Sequence, residues 1–244
     1  MSVHCQKCPL RRRPAFKQLT EDELSFMDSF KMGELHVDAG APVILEGSNS
    51  PHFYTVLRGA GMRDKGLADG RRQVVNFIFP GDLVGLQSGL LGEMKHGVEA
   101  VSDMALCVFS RERLWELFRQ HPERAYDVTW LAATEERSLG EALLSVGRRA
   151  AKERIAQLLI YMLRRAVESG FTKDEARMRF PFRQQDLADA AGLSSVHTNK
   201  TLQALRRQGM IRLDAGELEI LKPAALGELA EYSEPVDPPG RPLL

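Results

Sequence analysis

Hydrophobic and polar positions alternate over short distances in the first half of the chain. Turn sequences rich in Gly and Pro, such as Gly40-Ala-Pro and Pro80-Gly-Asp, separate these stretches. Closely spaced strands with such turns predict a sandwich or a barrel-like roll between about residues 35 and 109. The predicted strands lie at residues 43–45, 53–57, 74–79 and 105–109.

The pattern becomes helical after residue 110. A short helix is predicted at 111–119 and a long one at 123–146, where the sequence has no Pro and one Gly. The long helix carries apolar residues at steps of three and four, which we call the apolar stripe: Val128, Leu131, Ala132, Leu139, Ala142, Leu143 and Val146. This stripe can pack on the chain's own roll or on a second copy. We favour a partly intermolecular role, since a helix between two compact domains has little else to cover it.

The third region has the spacing of a helix-turn-helix. A helix at 150–168 and a polar connection at 171–181 precede it. Its first helix buries Leu187 and Ala191, and Gly192 provides the sharp turn because it lacks a Cβ. Ser194 is placed to cap the second helix, whose inner face carries Thr198, Leu202 and Leu205. Two alternating strands around Asp214-Ala-Gly216 then predict a wing.

The second helix of such a motif lies in the DNA major groove. Its exposed residues would offer hydrogen-bonding groups, a small apolar group and a cation to base edges. The candidate DNA-binding residues are Ser195, Val196, His197, Asn199 and Lys200, together with Arg183 and Thr198. An ordinary helical hairpin is the alternative, and the wing that follows argues against it.

Three motifs in this order resemble the Crp/Fnr family of transcriptional regulators. They are Pro80-Gly-Asp-Leu-Val-Gly85, Arg149-Ala-Ala-Lys-Glu-Arg-Ile-Ala156, and the helix-turn-helix with its wing. The resemblance implies an α+β fold with an N-terminal β-roll of the cyclic-nucleotide-binding, cupin-type jelly-roll kind, a long dimerisation helix and a C-terminal winged helix-turn-helix. The implied segments are an N-terminal cysteine-containing segment (1–20), a sensory β-roll domain (21–120), the dimerisation helix (121–147) and the winged helix-turn-helix DNA-binding domain (148–231). A disordered tail is expected at 232–244. Implied partners are double-stranded DNA, a second copy of the chain and RNA polymerase.

The chain departs from the family at its DNA-reading positions. By resemblance these are Ser195, Val196, Asn199 and Lys200. The family usually has a glutamate where this chain has Val196 and an arginine where it has Lys200. Valine packs on a thymine methyl group and cannot accept from a cytosine amino group, and lysine is less selective than an arginine fork. We therefore do not expect a relative's half-site to apply here.

The ligand positions of the roll also differ. Members that bind cyclic nucleotides have a Gly-Glu pair for the ribose and an Arg-Ser or Arg-Thr pair for the phosphate. This chain has Gly85-Leu86 and His96-Gly97 in those places. Because Leu86 cannot accept from a ribose hydroxyl and His96 is a poor replacement for a guanidinium, we predict no cAMP binding. Another small ligand remains open.

The three cysteines suggest a different signal. Cys5, Cys8 and Cys107 are similar in placement to the cysteines of the oxygen-sensing Fnr branch, which hold an iron–sulfur cluster. Such clusters normally take four thiolates, and a fourth cysteine is missing. The alternatives are an iron–sulfur cluster or other thiolate-bound metal, a redox-responsive site, or three unligated thiols. Nearby Lys7, Arg11, Arg12 and Arg13 are expected to favour the thiolate form.

The resemblance also bears on assembly. In the oxygen-sensing relatives an acidic residue of the dimer helix helps to keep the apo form monomeric, and Leu139 aligns with it here. In a dimer the Leu139 side chains would be buried at the interface, where the acidic residues of those relatives would repel each other. We therefore predict a dimer that forms without an effector.

Charge is distributed unevenly, although the net charge is zero. Residues 148–222 contain fifteen Lys and Arg against nine Asp and Glu, a surplus that suits nucleic-acid binding. No apolar run approaches the roughly 20 residues of a membrane span, so a cytoplasmic protein is expected.

Two other functions are compatible with a roll of this kind. One is a ligand-binding module that acts on a protein partner. The other is an enzyme, which the scattered histidines at 4, 36, 52, 96, 121 and 197 disfavour.

Overall fold

The computed structural model describes residues 3–233 and 240–244. Short 3-10 turns at Cys5–Lys7 and Leu10–Arg12 lead to helix α1 (Glu21–Phe30). The sequence start Thr20-x-x-Glu23 forms a capping box, in which the Thr20 hydroxyl accepts from the Glu23 amide at 3.3 Å and the Glu23 carboxylate accepts from the Thr20 amide at 2.8 Å. Phe30, at the end of this helix, is fully buried under the roll.

The N-terminal half forms the predicted roll from two antiparallel four-stranded sheets. One sheet has the order β1-β8-β3-β6 and the other β2-β7-β4-β5, with partners such as Phe53 opposite Phe109. Val56, Ile78 and Leu106 are completely buried between the sheets. The elements are β1 (Lys31–Val37), β2 (Pro42–Ile44), β3 (His52–Arg58), β4 (Gly61–Gly66), β5 (Arg72–Ile78), β6 (Leu83–Val84), α2 (Leu86–Leu91), β7 (Gly97–Ala100) and β8 (Met104–Ser110).

Helix α3 (Leu114–Gln120) leads into the long helix α4 (Pro122–Arg148), which has a proline in its first turn. The apolar stripe divides into two parts along α4. Val128 and Leu131 are buried against the roll of the same chain, whereas Leu139 is 40% exposed and Leu143 75% exposed. Val128 and Leu131 therefore have an intramolecular role, whereas Leu139 and Leu143 keep apolar surface that a second chain could cover.

The C-terminal half contains the predicted helices and wing, together with one strand and one helix after the wing that the pattern did not indicate. The elements are α5 (Ala151–Ser169), β9 (Arg177–Arg179), α6 (Gln184–Ala191), α7 (Ser195–Arg207), β10 (Ile211–Asp214), β11 (Glu217–Ile220) and α8 (Pro223–Ala230). Strand β9 lies in the stretch expected to be a polar connection, and it extends the wing to a three-stranded sheet of order β10-β11-β9. Its central residue, Met178, is buried while Arg177 and Arg179 are exposed, so a single apolar position carried the signal.

One hydrophobic cluster contains buried residues from both halves of the chain. Phe77 of β5 packs edge-on against Phe182 with ring centroids 4.7 Å apart, and Phe79 packs against Phe171 at 5.6 Å. Polar contacts add to this packing. The Arg72 guanidinium on β5 reaches Asp186 at 2.5 Å and Asp189 at 2.8 Å, both on α6. The roll therefore fixes the position of the helix-turn-helix within the chain.

The expected disorder of the tail at 232–244 is wrong for its last five residues. Arg241 forms a parallel bridge with Phe16, and Leu243 is 4% exposed. The proline-rich composition suggested disorder, but the apolar end of the chain finds a buried position on the N-terminal half. The part of this prediction that concerns residues 234–239 lies outside the described residues. Among the helices that the structure describes, none has the length and apolar character of a membrane span.

Candidate nucleic-acid interface and sensor sites

Local sequence sets the geometry of the helix-turn-helix. Helix α6 ends at Gly192, whose φ of 62° is left-handed, and the Leu193 amide donates back to the Ala188 carbonyl at 3.0 Å. Helix α7 begins after Ser194, and the Ser194 hydroxyl accepts from the His197 amide at 3.2 Å. A Cβ at Gly192 would lie 3.1 Å from the Val146 side chain, so the turn also packs against the end of α4.

Helix α7 presents a polar face to solvent. Its buried face consists of Thr198, Thr201, Leu202 and Leu205. Five of the candidate DNA-binding residues are exposed on the other side: Ser195, Val196, His197, Asn199 and Lys200. Thr198, however, is fully buried, so its candidacy for DNA contact is wrong. It sits on the inner face because the helical period turns it away from Val196 and Asn199.

Two further residues extend this exposed face. Gln203 and Arg207 are exposed at seven and eleven positions after Val196, so they fall on the same side of α7 as Asn199 and Lys200. The sequence carried the signal, since the helical period that gave Asn199 and Lys200 continues unchanged to Arg207. Arg206 has a different role, because its guanidinium donates to the Leu213 carbonyl of the wing.

Two candidate residues are held by neighbours in the domain. The Ser195 hydroxyl donates to Gln185 of α6, and its carbonyl accepts from Gln184 at 3.3 Å. Arg183 precedes α6, and its guanidinium faces Asp186 at 3.3 Å and Glu99 of the roll at 3.7 Å. Ser195 is thus oriented by α6, and Arg183 belongs to the contact between the domains.

The wing turn has the geometry of a tight β-hairpin. Ala215 and Gly216 both have positive φ, 46° and 75°, as a two-residue turn requires. Glu219 in β11 pairs with Arg177 of β9 at 2.6 Å and with Arg212 of β10 at 2.5 Å. These cross-strand pairs link all three strands beside α7.

A cavity of about 270 Å³, here called the roll cavity, lies between the roll and α4. Three of the four predicted ligand-pocket residues, Gly85, Leu86 and His96, line it. Gly97 does not, and a Cβ there would approach the Asp64 carboxylate at 3.1 Å. The remaining lining is mostly apolar and comes from both elements: Leu83, Val84, Met94, Leu131, Ala132 and Leu139, with Arg63, Gln87, Glu135, Glu136 and Arg241.

Two arginines line the roll cavity, Arg63 and Arg241, and the sequence pattern indicated neither. The Arg241 guanidinium pairs with Asp82 at 2.6 Å. The Arg63 guanidinium donates to Glu135 of α4 at 2.8 Å and to the Leu83 carbonyl at 2.7 Å. A cyclic phosphate would have to displace the Glu135 carboxylate to gain this cation. Together with Leu86 in place of an acidic residue, these contacts argue against a cyclic nucleotide.

His96 makes the stability of the protein depend on pH. Burial and the charge of Arg63 lower the pKa of His96 to about 4, and its buried Nε2 atom has no hydrogen-bond partner among the residues that the structure describes. The unfolded chain therefore takes up this proton between pH 6.5 and 4 while the folded chain does not, so stability falls as pH falls through that window. Urea unfolding at pH 7.5 and 5.0 should show a smaller loss for H96Q than for the parent. H36Q, which alters an exposed histidine, is the control, and equal losses in parent and H96Q would contradict this role.

The three cysteines come together at a second cavity, here called the cysteine cavity. Its volume is about 40 Å³, and its lining is apolar except for Arg11, Lys31 and Thr55. Cys107 of β8 is buried, while Cys5 and Cys8 are half-buried in the N-terminal segment. That segment is fixed by Asp28 of α1, which accepts from the Cys5 amide at 2.7 Å and lies 3.0 Å from His4. The sequence predicted this grouping only through the family resemblance.

The expectation of thiolates at this cavity is wrong for Cys5 and Cys107. Burial, followed by the proximity of Cys107 and Asp28, raises the pKa of Cys5 to about 12. Burial also raises the pKa of Cys107 to about 11, although Lys31 opposes the shift. The loss of hydration at the apolar cavity outweighs the basic residues of the N-terminal segment.

These features do not fit an iron–sulfur cluster. The chain has three cysteines where such a cluster normally takes four thiolates, and the cavity beside them is small and apolar. Within residues 3–233 and 240–244 no group of His, Cys, Asp and Glu is arranged to hold a metal ion.

Comparisons with known proteins assign both halves of the chain. Residues 34–121 match the family model described as cyclic nucleotide-binding domain, and residues 153–229 match that of the Crp-like helix-turn-helix domain. The nitrogen fixation regulation protein FixK of Rhizobium meliloti is 32% identical, with 78% of this chain and 83% of that protein covered. The transcriptional activator protein FnrL of Cereibacter sphaeroides is 28% identical, with coverages of 86% and 84%.

The solved structure of FixK2 from Bradyrhizobium japonicum has a TM-score of 0.74 at 27% identity, covering 82% of this chain and 98% of that one. A roll, a long helix and an exposed α7 beside a wing therefore define a two-domain DNA-binding transcriptional regulator. The chain belongs to the Crp/Fnr family, and the relatives named above are regulators of transcription rather than enzymes.

Proposed function

We propose that the protein binds a two-fold symmetric DNA operator as a homodimer, with one α7 from each protomer in the major groove. The observation that carries this proposal is exposed apolar surface on the C-terminal part of α4. Leu143 of the apolar stripe and the neighbouring Leu144 are 75% and 47% exposed there. A second α4 related by two-fold symmetry would bury this surface.

The exposed face of α7 supplies the DNA contacts of this proposal. Val196, Asn199 and Lys200 face solvent together, and the Ser194 cap and Gln185 hold the start of the helix in place. In a symmetric dimer two such helices would lie roughly 34 Å apart, one turn of DNA. The base-reading set is Ser195, Val196, His197, Asn199 and Lys200, extended by Gln203 and Arg207.

A gel shift with fragments of genomic DNA tests this function. We expect a subset of fragments to be retarded at protein concentrations that leave the others free, with affinity falling as salt is raised. No retardation of any fragment would favour the alternative of a ligand-binding module that acts on a protein partner.

The proposed dimer should form without an effector. Leu139 and Leu143 offer apolar surface where a like charge would oppose association, and each leucine buried contributes on the order of 1.5–3 kcal/mol. Sedimentation velocity of effector-free protein at micromolar concentration should therefore show mainly dimer. A main species with the mass of one chain would contradict this.

For the signal, we propose oxidation of the clustered thiols at the cysteine cavity. Two thiols of the cluster would lose two protons and two electrons to a peroxide and form a disulfide, while the peroxide is reduced to water or an alcohol. Their grouping from two distant parts of the chain supports this proposal. The raised pKa values of Cys5 and Cys107 imply that the N-terminal segment must open before they react.

The double variant C5S/C8S tests this signal. We expect the parent to change its operator affinity after peroxide treatment and the double variant to keep one affinity. Peroxide-treated protein reduced again with dithiothreitol is the control. An equal response in parent and double variant would contradict the proposal, as would stoichiometric iron in protein purified without oxygen.

The roll cavity is the alternative site for a signal. Its apolar lining suits a small ligand without a phosphate, because the Arg63 guanidinium is already engaged. FnrL is named as a transcriptional activator, which supports gene activation as the output. RNA polymerase would then be the protein partner.

A further inference from the structure

We infer that the C-terminal residues Gly240–Leu244 form a strap that closes the cysteine cavity and links it to the DNA-binding domain. The inference concerns access to the thiols, so it does not depend on whether their oxidation controls DNA binding.

The strap is attached to the N-terminal segment by its backbone. The Arg241 amide donates to the Ala15 carbonyl at 2.7 Å, and the Lys17 amide donates to the Arg241 carbonyl at 2.9 Å. Gly240 begins the strap with a φ of 88°, and a Cβ there would lie 3.2 Å from the Lys17 backbone. This conformation favours glycine at the point where the two terminal segments meet.

A buried carboxylate joins the strap to both domains. Asp82 of the roll lies 2.6 Å from the Arg241 guanidinium and 2.5 Å from that of Arg165 in α5, and its side chain is 6% exposed. The Phe79 amide donates to its second oxygen at 2.8 Å. Because a buried carboxylate that loses one cation is left undercompensated, Arg241 supports the contact between the roll and α5.

The apolar end of the strap covers the cysteine cavity. Leu243 is 4% exposed in the cluster that contains Leu10, Phe16 and Cys107, and its carbonyl accepts from the Arg124 guanidinium at 3.5 Å. Leu243 and Leu244 both line the cysteine cavity. Removing the strap would take an apolar wall from the thiols and two backbone hydrogen bonds from the segment that carries Cys5 and Cys8.

Thiol alkylation tests the strap. A chain that ends at Pro239 and the parent are treated with iodoacetamide at pH 8, and modification of each cysteine is followed by mass spectrometry. We expect Cys5 and Cys8 to react about tenfold faster or more in the truncated chain, because local opening of the N-terminal segment becomes easier. An excess of the peptide Gly-Arg-Pro-Leu-Leu should slow the reaction again.

Point variants separate a strap from general unfolding. L243S should raise the alkylation rate, whereas the volume-conserving L243M should leave it near the parent's rate. R241A should raise it, and circular dichroism checks that each variant keeps its helix content. Alkylation rates in the truncated chain equal to those of the parent would overturn the inference. If the truncated chain unfolds, alkylation rates in both L243S and R241A equal to those of the parent would overturn it.

Discussion

L143E is expected to sediment as a monomer and to bind operator DNA at least about a hundredfold more weakly than the parent. Leu143 belongs to the apolar stripe and is 75% exposed in the single chain. In a two-fold interface the substitution places two carboxylates in an apolar contact, which neither burial nor pairing compensates. A monomer then contacts one half-site with one α7. It loses the additional affinity that a dimer has because its two α7 helices bind both half-sites of one operator.

L45E provides the matched control for this change. Leu45 is a leucine of similar exposure, 63%, that follows β2 on the roll. This variant should stay dimeric and keep the parent's affinity. If L143E instead remains a dimer at micromolar concentration, α4 is not the dimer interface.

K200A should cost about 1–3 kcal/mol of operator binding and relax the preference at one base pair in each half-site. Lys200 is exposed on the same face of α7 as Val196 and Asn199, so its ammonium can reach the major groove. Fluorescence anisotropy with the operator and with single-base variants would measure both effects.

K95A removes the same formal charge from the roll and is the control for K200A. Lys95 is exposed on the roll and pairs with Glu93. Its loss should change affinity little and leave the base preference intact. An operator affinity of K200A equal to the parent's would show that α7 is placed wrongly on DNA.

Local patterns were sufficient to predict the DNA-binding motif. Gly192, Ser194 and the apolar period of α7 act within a few residues of one another, so their spacing specified the turn, the cap and the buried face. The candidacy of Thr198 was wrong although the same period placed it inside. Thr198 has exposed neighbours along the sequence, but its position around the helix is on the buried face.

Features that depend on distant contacts were harder to predict. The raised pKa of Cys107 arises from burial under an N-terminal segment about one hundred positions away, and nearby sequence does not show this. The ordered strap likewise depends on Asp82 and Phe16, which no composition rule connects to a proline-rich tail. Helix α1 differs, because its start depends on a local signal, the capping box of Thr20 and Glu23.

Selection of duplexes from a random library by the full-length protein tests the central claim most directly. After several rounds the recovered sequences should share an inverted repeat, with half-site centres about 10 base pairs apart, and each complex should contain two chains. Recovered sequences that carry a single asymmetric site bound by one chain would contradict the account, as would a library that shows no enrichment.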